Sequence, residues 1–244
     1  MSLDWVIETH DEVQSTQDIV MSMAHMEQPE GHVVQAQTQT QGRGRHGRKW
    51  ESLSGNLFLS ILFRPSVQAR DVGQLSLITG LSLLEAISSV MGKGNDYELS
   101  LKWPNDVLIN GEKCAGLLLE TELTQSGAVK WVVLGIGVNV AEAPEDLGLA
   151  LNAFAEKPIA VKVLRDRFLK IMGTHYLHWL QNGFETLRLN WLDRAHAKGR
   201  PMHVKIGPQL VNGVFHDIDA HGNLRLKDAE HRLKTVSSGE VYLY

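Results

Sequence analysis

The sequence predicts an α+β domain of enzyme size followed by a small antiparallel β barrel, and three observations carry that expectation. The first two thirds of the chain mix strand-like alternation with helical spacing of apolar residues. Gly199-Arg-Pro201 marks a shift in composition. Beyond it, short apolar runs are separated by Gly-Pro, Asn-Gly, His-Gly and Ser-Gly turn signals, the pattern of about five short strands. The expected division is residues 1–198 and 199–244. With 244 residues, 43% of them hydrophobic, the chain can bury one main core and a smaller second one.

Each element has a local reason. Ser15-Thr-Gln-Asp18 places a hydroxyl three residues before a carboxylate, a variant of the capping box, and predicts a short helix to about Ala24 whose start also offers hydroxyls to a ligand. His32 to Thr38 reads as a strand. Asn56 to Phe63 alternates, with Leu57, Leu59, Ile61 and Phe63 on one face and Phe58 and Leu62 on the other, so it is expected at the centre of a sheet. Asp71 to Met91 has helical spacing at Leu75, Ile78, Leu81, Leu84 and Ile87 and stops at Gly92, which predicts a long amphipathic helix.

Tyr97, Leu99 and Leu101 alternate with polar residues up to Trp103-Pro104, where proline ends the ladder. Val107 to Ile109, the Asn110-Gly111 turn and Cys114 to Thr121 predict a hairpin. Lys130 to Val140 is a further buried strand, and Gly135 and Gly137 within it permit close approach of something else. A loop from Ala141 to Pro158 leads to two helices, about Ala160 to Gln181 and Phe184 to Ala197, the first anchored by Val163, Phe168, Ile171 and Leu180.

Composition bounds the function. A net charge of −4 with pI near 6.3 argues against a protein that coats nucleic acid or an anionic membrane, so any basic site is local. One cysteine, Cys114, gives no disulfide framework or cysteine zinc cluster and fits a reducing, cytoplasmic compartment. The first twenty residues are acidic and unlike a signal peptide, and no apolar run is expected to approach the ~20 residues of a membrane span. His175, His178, His196, His203, His216, His221 and His231 lack the tight spacing of a metal set and are expected to be surface or packing residues.

The local basic site is Gly42 to Trp50, GRGRHGRKW, with three arginines and a lysine in nine residues. Its first six residues fit G-x-G-x-x-G, but a dinucleotide fingerprint needs a helix to start at the third glycine, and here more turn residues run into a strand. No Walker-type loop occurs. A solvated loop is the plain alternative. Against it, three glycines allow folding over a ligand, arginines offer bidentate donors to phosphate, and Trp50 adds an aromatic face. A clamp that orders over a phosphorylated or adenylylated ligand is the expectation. Lys102-Trp-Pro-Asn-Asp106, KWPND, gathers a cation, an amide and a carboxylate at a strand end, and Lys113 follows across the hairpin, a pattern suited to developing phosphate charge.

GRGRHGRKW, KWPND, Lys113 with Ala-Gly-Leu-Leu-Leu-Glu, and Gly135-Ile-Gly-Val-Asn139 occur in the order and spacing of the biotin protein ligases, which this chain resembles over nearly its whole length. The resemblance implies a class II aminoacyl-tRNA synthetase-like domain with a mixed sheet, then an SH3-like β barrel. It implies a two-step ligase: biotin and MgATP give biotinyl-5′-AMP, and a lysine of a biotin carboxyl carrier protein then takes the biotin as an amide. Bifunctional members carry an N-terminal winged helix; this chain begins at the catalytic domain, so no DNA partner is expected.

By motif position, the resemblance implies catalytic roles for Lys113, Arg45 and Asp106. It implies biotin contacts at Ser15, Thr16, Gln39, Gly42, Arg43, Arg45, Gly116, Gly135 and Gly137. Nucleotide contacts are implied at Arg45, Arg48, Trp50, Lys102, Asn105, Lys113 and Asn139. Mg²⁺ is expected only as the companion of ATP. The chain departs at Gln17, where the family carries asparagine. A lipoate ligase is the sister reading, and a nucleic-acid-binding protein using the basic loop is a remoter one. An edge strand of the main sheet could pair with a twin copy or with the carrier.

Overall fold

The computed structural model describes residues 3–92, 96–145 and 148–243; residues 1, 2 and 244, at the ends of the two expected domains, and 146–147 of the expected loop lie outside them. Twelve strands and four helices are laid out among the described residues in the order β1 (Val6–Val13), α1 (Thr16–His25), β2 (His32–Gln39), β3 (Leu57–Phe63), α2 (Gly73–Met91), β4 (Leu99–Lys102), β5 (Asp106–Ile109), β6 (Glu112–Leu123), β7 (Val129–Val138), α3 (Val161–Asn182), α4 (Glu185–Leu192), β8 (Pro201–Ile206), β9 (Gln209–Ile218), β10 (Leu224–Lys227), β11 (Leu233–Val236) and β12 (Glu240–Leu243).

Seven strands form one mixed sheet in the order β1-β2-β3-β7-β6-β5-β4. Only β1 and β2 run parallel, joined by α1 as a crossover; every other neighbour is antiparallel. Asn110 and Gly111 both take positive φ, 51° and 83°, which is the geometry that a tight hairpin turn between β5 and β6 requires. The five C-terminal strands make a separate antiparallel, barrel-like sheet, ordered β11-β10-β9-β8-β12. The α+β class with a C-terminal β domain is therefore the observed one.

The period of two along β3 and β7 divides the main core. Leu57, Leu59, Ile61 and Phe63 of β3, with Val132, Leu134, Ile136 and Val138 of β7, face α2 and α3. Leu62, Trp131 and Val133 face α1, where they pack against Val20 and Ala24. Beneath α1 the β7 residues on this face are Trp131 and Val133; two and four residues on they are Gly135 and Gly137, so the sheet is bare where the helix ends. That bare floor positions the site.

Several expectations are corrected. The capping box does not form: Ser15 makes no side-chain cap bond, and Asp18 instead pairs with Arg43. Helix α2 is buried almost all round, because the sheet, α3 and the C-terminal sheet each cover part of it. Residues 69–91 are also long and apolar enough to cross a membrane by length and composition, contrary to expectation, with 78% of the most apolar window buried inside the protein. On α3, Val163 and Leu180 are 53% and 39% exposed and anchor nothing; Leu164, Phe168, Met172 and Tyr176 make the buried stripe. Helix α4 ends at Leu192, after which residues 193–195 run along β4, Leu101 N–H donating to Arg194 O and Leu101 bridging Ala195.

The C-terminal sheet docks on α2 through the turn before β10. Gln74 donates to Ala220 O at 2.9 Å, Trp103 Nε1 donates to Gly222 O at 3.0 Å, and His221 Nδ1 lies 2.8 Å from Asp71 Oδ1. Gly222 sits at φ 83°, and a Cβ there would come within 2.9 Å of Leu77, so this contact requires glycine.

Candidate functional site

A cavity of about 450 Å³ opens over the bare floor of the main sheet. Its walls come from the N-terminus of α1, the end of β2, the basic loop, the β4–β5 turn, β6, β7 and β12. Every residue assigned a site role from the sequence lines it except Gly42. Gly42 is spent on the loop itself: its O accepts from Trp50 N at 2.9 Å, and a Cβ there would lie 2.6 Å from Trp50 O.

The inner end is a buried hydrogen-bond cluster. Gln39 Oε1 accepts from Thr16 N at 2.9 Å and Thr16 Oγ1 at 3.1 Å. Thr16 Oγ1 also lies 2.9 Å from Ser60 Oγ, which donates to Gln17 Oε1 at 2.9 Å. Ser15 Oγ is buried with no hydrogen-bond partner among the described residues. Unpaired buried hydroxyls are costly, so this one points to a polar ligand group.

Trp50 lies flat in the middle of the site. Gly116 and Gly137 are register partners on β6 and β7, and a Cβ at either would strike the indole, at 2.8 Å and 2.4 Å respectively. The paired glycines are thus a seat for the ring. Lys113 Nζ stands 5.4 Å from the indole centroid, within cation–π range, and 2.6 Å from Asp106 Oδ1. That Lys113–Asp106 contact is an ion pair by distance without hydrogen-bond alignment, since Asp106 Oδ1 counts no aligned donor. Asn139 Oδ1 and Trp50 Nε1 are likewise buried and unpartnered among the described residues.

The outer wall is cationic. Burial pushes the Lys102 ammonium below its ordinary value, Asp106 opposing and Lys113 adding to the shift. Burial also lowers Arg45, against the pull of Asp106 and Glu240. Arg45 donates to Asn105 Oδ1 at 3.0 Å and to Gly239 O at 3.2 Å, and Asn105 Nδ2 donates to Leu117 O at 2.8 Å. Arg48 is paired with Glu240, which holds its guanidinium above the usual value. Arg43, also on the cavity wall, pairs with Asp18 and, at 3.2 Å, with Glu120. The basic loop is therefore tied at Arg43 to α1 and β6, at Arg45 to the β4–β5 turn, and at Arg45 and Arg48 to the C-terminal sheet.

Sequence reasoning missed Gln17, Ser60, Leu118, Glu240 and Val241, all of which line the cavity. Ser60 left a signal: it is the one polar residue in the strand Leu-Phe-Leu-Ser-Ile-Leu-Phe. Glu240 left none, because the chain returns to the site from the far domain. Trp103 of KWPND supplies the link to Gly222 and is only 4% exposed.

The histidines are dispersed. His175 contacts Ser82 at 3.0 Å, His203 stacks on Tyr242, and His196 is buried beside Lys102 and Arg200. Among the described residues no group of three or more His, Cys, Asp or Glu could hold a metal ion.

Comparison with known proteins places this arrangement. Residues 10–139 match the Biotin/lipoate A/B protein ligase family, and residues 199–244 match the Biotin protein ligase C terminal domain. The chain is 36% identical over 219 residues to the biotin–[acetyl-CoA-carboxylase] ligase of Paracoccus denitrificans, covering 86% of this chain and 89% of that protein. It is 31% identical over 246 residues to the bifunctional ligase/repressor BirA of Bacillus subtilis, covering 96% of this chain and 73% of that protein. A solved structure of the Aquifex aeolicus biotin protein ligase in complex with biotin and ATP superposes with a TM-score of 0.81 at 28% identity, over 98% of each chain.

Proposed function

The chain belongs to the biotin/lipoate A/B protein ligase family, and from that premise we propose that it activates biotin with ATP and transfers it to a lysine of a biotin carboxyl carrier protein, as an ATP-dependent, amide-forming ligase. One observation carries the reading: a single cavity joins a buried cluster of hydroxyls and amides to a cationic wall, with Trp50 between them.

The chemistry asks for that combination. A biotin carboxylate oxygen attacks the α-phosphorus of ATP, pyrophosphate leaves, and a mixed anhydride remains. A lysine amine then attacks the anhydride carbonyl, loses a proton, and AMP leaves. The first step brings two anions together, and positive side chains offset their repulsion in a site partly shielded from water. In our reading Lys113 meets the reacting carboxylate and α-phosphate, Arg45 holds the same charge from the loop side, and Lys102, Asn105, Arg48, Trp50 and Asn139 take the nucleotide. Asp106, beside Lys113, stands where an incoming lysine would be oriented or deprotonated.

Ser15, Thr16 and Gln39 take the ureido ring of biotin, with Gly116, Gly135 and Gly137 as the floor. Arg43 and Gly42 shape the loop over it. Magnesium enters with ATP as part of the substrate; among the described residues no group of three or more His, Cys, Asp or Glu could hold a metal of its own. We place the reaction in the cytoplasm, with neither DNA nor membrane as a partner, and assign the exposed edge of β1 to pairing with a second copy or with the carrier.

The deciding experiment is ATP–pyrophosphate exchange with the purified chain, run with biotin, lipoate and octanoate. Exchange with biotin alone is the expected result. Exchange with lipoate would move the protein to the lipoate branch, and none with any acid would overturn the adenylation reading.

A further inference from the structure

Two residues at the inner end of the cavity, Gln17 and Ser60, have no role in the reaction described so far. Both are buried, 3% and 0% exposed, and both belong to the hydrogen-bond chain that ends at Thr16. The direction of the Ser60 proton follows from one fixed point. Val133 O is a backbone carbonyl and can only accept, and Gln17 Nε2 lies 3.3 Å from it, so the nitrogen end of the amide faces Val133. The oxygen end then faces Ser60 at 2.9 Å and can only accept, so the single Ser60 proton is committed to Gln17.

Ser60 Oγ is thereby left as an acceptor toward Thr16, 2.9 Å away. Thr16 Oγ1 has one proton and two acceptors for it, Ser60 Oγ and, at 3.1 Å, Gln39 Oε1. With the Ser60 proton spent, none of the described hydrogen bonds brings Thr16 Oγ1 a donor. Its lone pairs are free for an N–H arriving in the cavity, while the unpartnered hydroxyl of Ser15 is free to donate to a carbonyl. Gly135 belongs to the same arrangement: it is the register partner of Ser60 on β7, and a Cβ there would stand 2.6 Å from Gln17 Oε1.

We propose that Gln17 is a specificity-determining positioning residue: by fixing the proton order of Ser60 it makes Thr16 an obligate acceptor and selects an acid whose ring presents N–H beside C=O. This rests on the reading that the inner end of the cavity takes the ureido ring. It explains on physical grounds how the pocket discriminates: a ring without N–H leaves a buried acceptor unpaired, which is the kind of mismatch that binding sites reject most strongly.

The test is calorimetric titration of the full chain with biotin and with two isosteric analogues, each carrying a ring oxygen in place of one ureido N–H. Gln17→Met keeps the length but removes the acceptor, so the Ser60 proton turns to Thr16, takes the lone pair facing Ser60 and frees the Thr16 hydroxyl to donate as well as to accept toward the cavity. Biotin affinity is expected to change by less than about threefold, while the analogue that faces Thr16 with an oxygen in place of the N–H gains about tenfold by accepting from Thr16, so the selectivity between them collapses. ATP affinity stays unchanged. Ser60→Ala added to Gln17→Met removes the misdirected proton and is expected to restore selectivity, a rescue that damage to the fold would not produce. Equal loss for biotin and both analogues, or no rescue, would overturn the inference. Wild-type protein that binds no biotin would overturn the ring-pocket reading along with it; wild-type binding of biotin with the same selectivity in Gln17→Met would overturn the inference alone.

Discussion

Lys113 stands 2.6 Å from Asp106 Oδ1 and 5.4 Å from the Trp50 ring centroid, and a Cβ at Gly116 would come within 2.9 Å of its Nζ, so its side chain lies over the bare sheet. In the proposed reaction a cation held there acts most on charge that reorganises as the anhydride forms. Lys113→Ala is therefore expected to lower biotin-dependent pyrophosphate exchange by about 100-fold or more, with biotin affinity changed within about threefold. An intact exchange rate beside collapsed biotin affinity would refute the role. His196 gives a prediction of another kind. Burial first, then the charges of Arg200 and Lys102, pushes its imidazole from the ordinary 6.5 down to about 4. The folded state holds the neutral ring, so its contribution is complete above 6.5 and is lost as pH falls toward 4. By pH 4.5 the loss is on the order of 2 kcal/mol. Chemical denaturation of His196→Gln at pH 7 and pH 4.5 should recover most of that difference; an identical pH slope in both proteins would exclude this group as its source. Half of the residues that line the cavity were named from the sequence, through short motifs of charged, glycine and aromatic residues and the family resemblance they carry. Gln17 and Ser60 were not, since a polar residue becomes a pocket residue only when the strand beside it is known.

The basic loop acts as an element because its ties go to separate parts of the fold. Arg45 spans Asn105 and Gly239, and Arg48 meets Glu240. Removing Arg45 unties the loop from the β4–β5 turn and leaves the Arg48–Glu240 pair as its tie to the C-terminal sheet. Arg45→Gly is thus expected to let the activated anhydride escape, and biotin labelling of an unrelated lysine-rich protein should rise in a streptavidin blot. Unchanged acceptor selectivity would contradict this. At the same scale the strands of high alternation, β3 and β7, and the Asn-Gly hairpin were readable in advance, since period and turn chemistry are local. Strand β1 was not: Val-Ile-Glu-Thr-His-Asp-Glu-Val is charged and mostly exposed, as an edge strand is, and its pairing with β2 supplies what the sequence pattern lacks. The buried stripe of α3 shifted from Val163 and Leu180 to Leu164 and Met172 because several neighbours on that helix are apolar, and only docking on α2 chooses the phase.

For the whole molecule, the C-terminal sheet is a wall of the site as well as an appendage. It is fixed by the turn that receives Trp103 Nε1 and Gln74, and it returns Glu240 and Val241 to the cavity. Trp103 lies between Lys102 and the Asn105-Asp106 pair, so its hydrogen bond joins the docked domain to the wall proposed to take the nucleotide. Trp103→Phe keeps the buried ring and loses that bond; stability should drop by about 1 kcal/mol, and the KM for ATP should rise more than that for biotin. Equal KM values for both substrates in mutant and wild type would disprove the coupling. The sequence by itself determined the α+β class, the five-stranded C-terminal unit and the motifs that carry the chemistry, because periodicity, turn residues and motif spacing are properties of neighbouring residues. Only the tertiary structure decided which face of the sheet is bare, which hydroxyl has its proton committed, and which residues of the far domain close the site. Those depend on contacts between segments up to 194 residues apart, which no local pattern encodes.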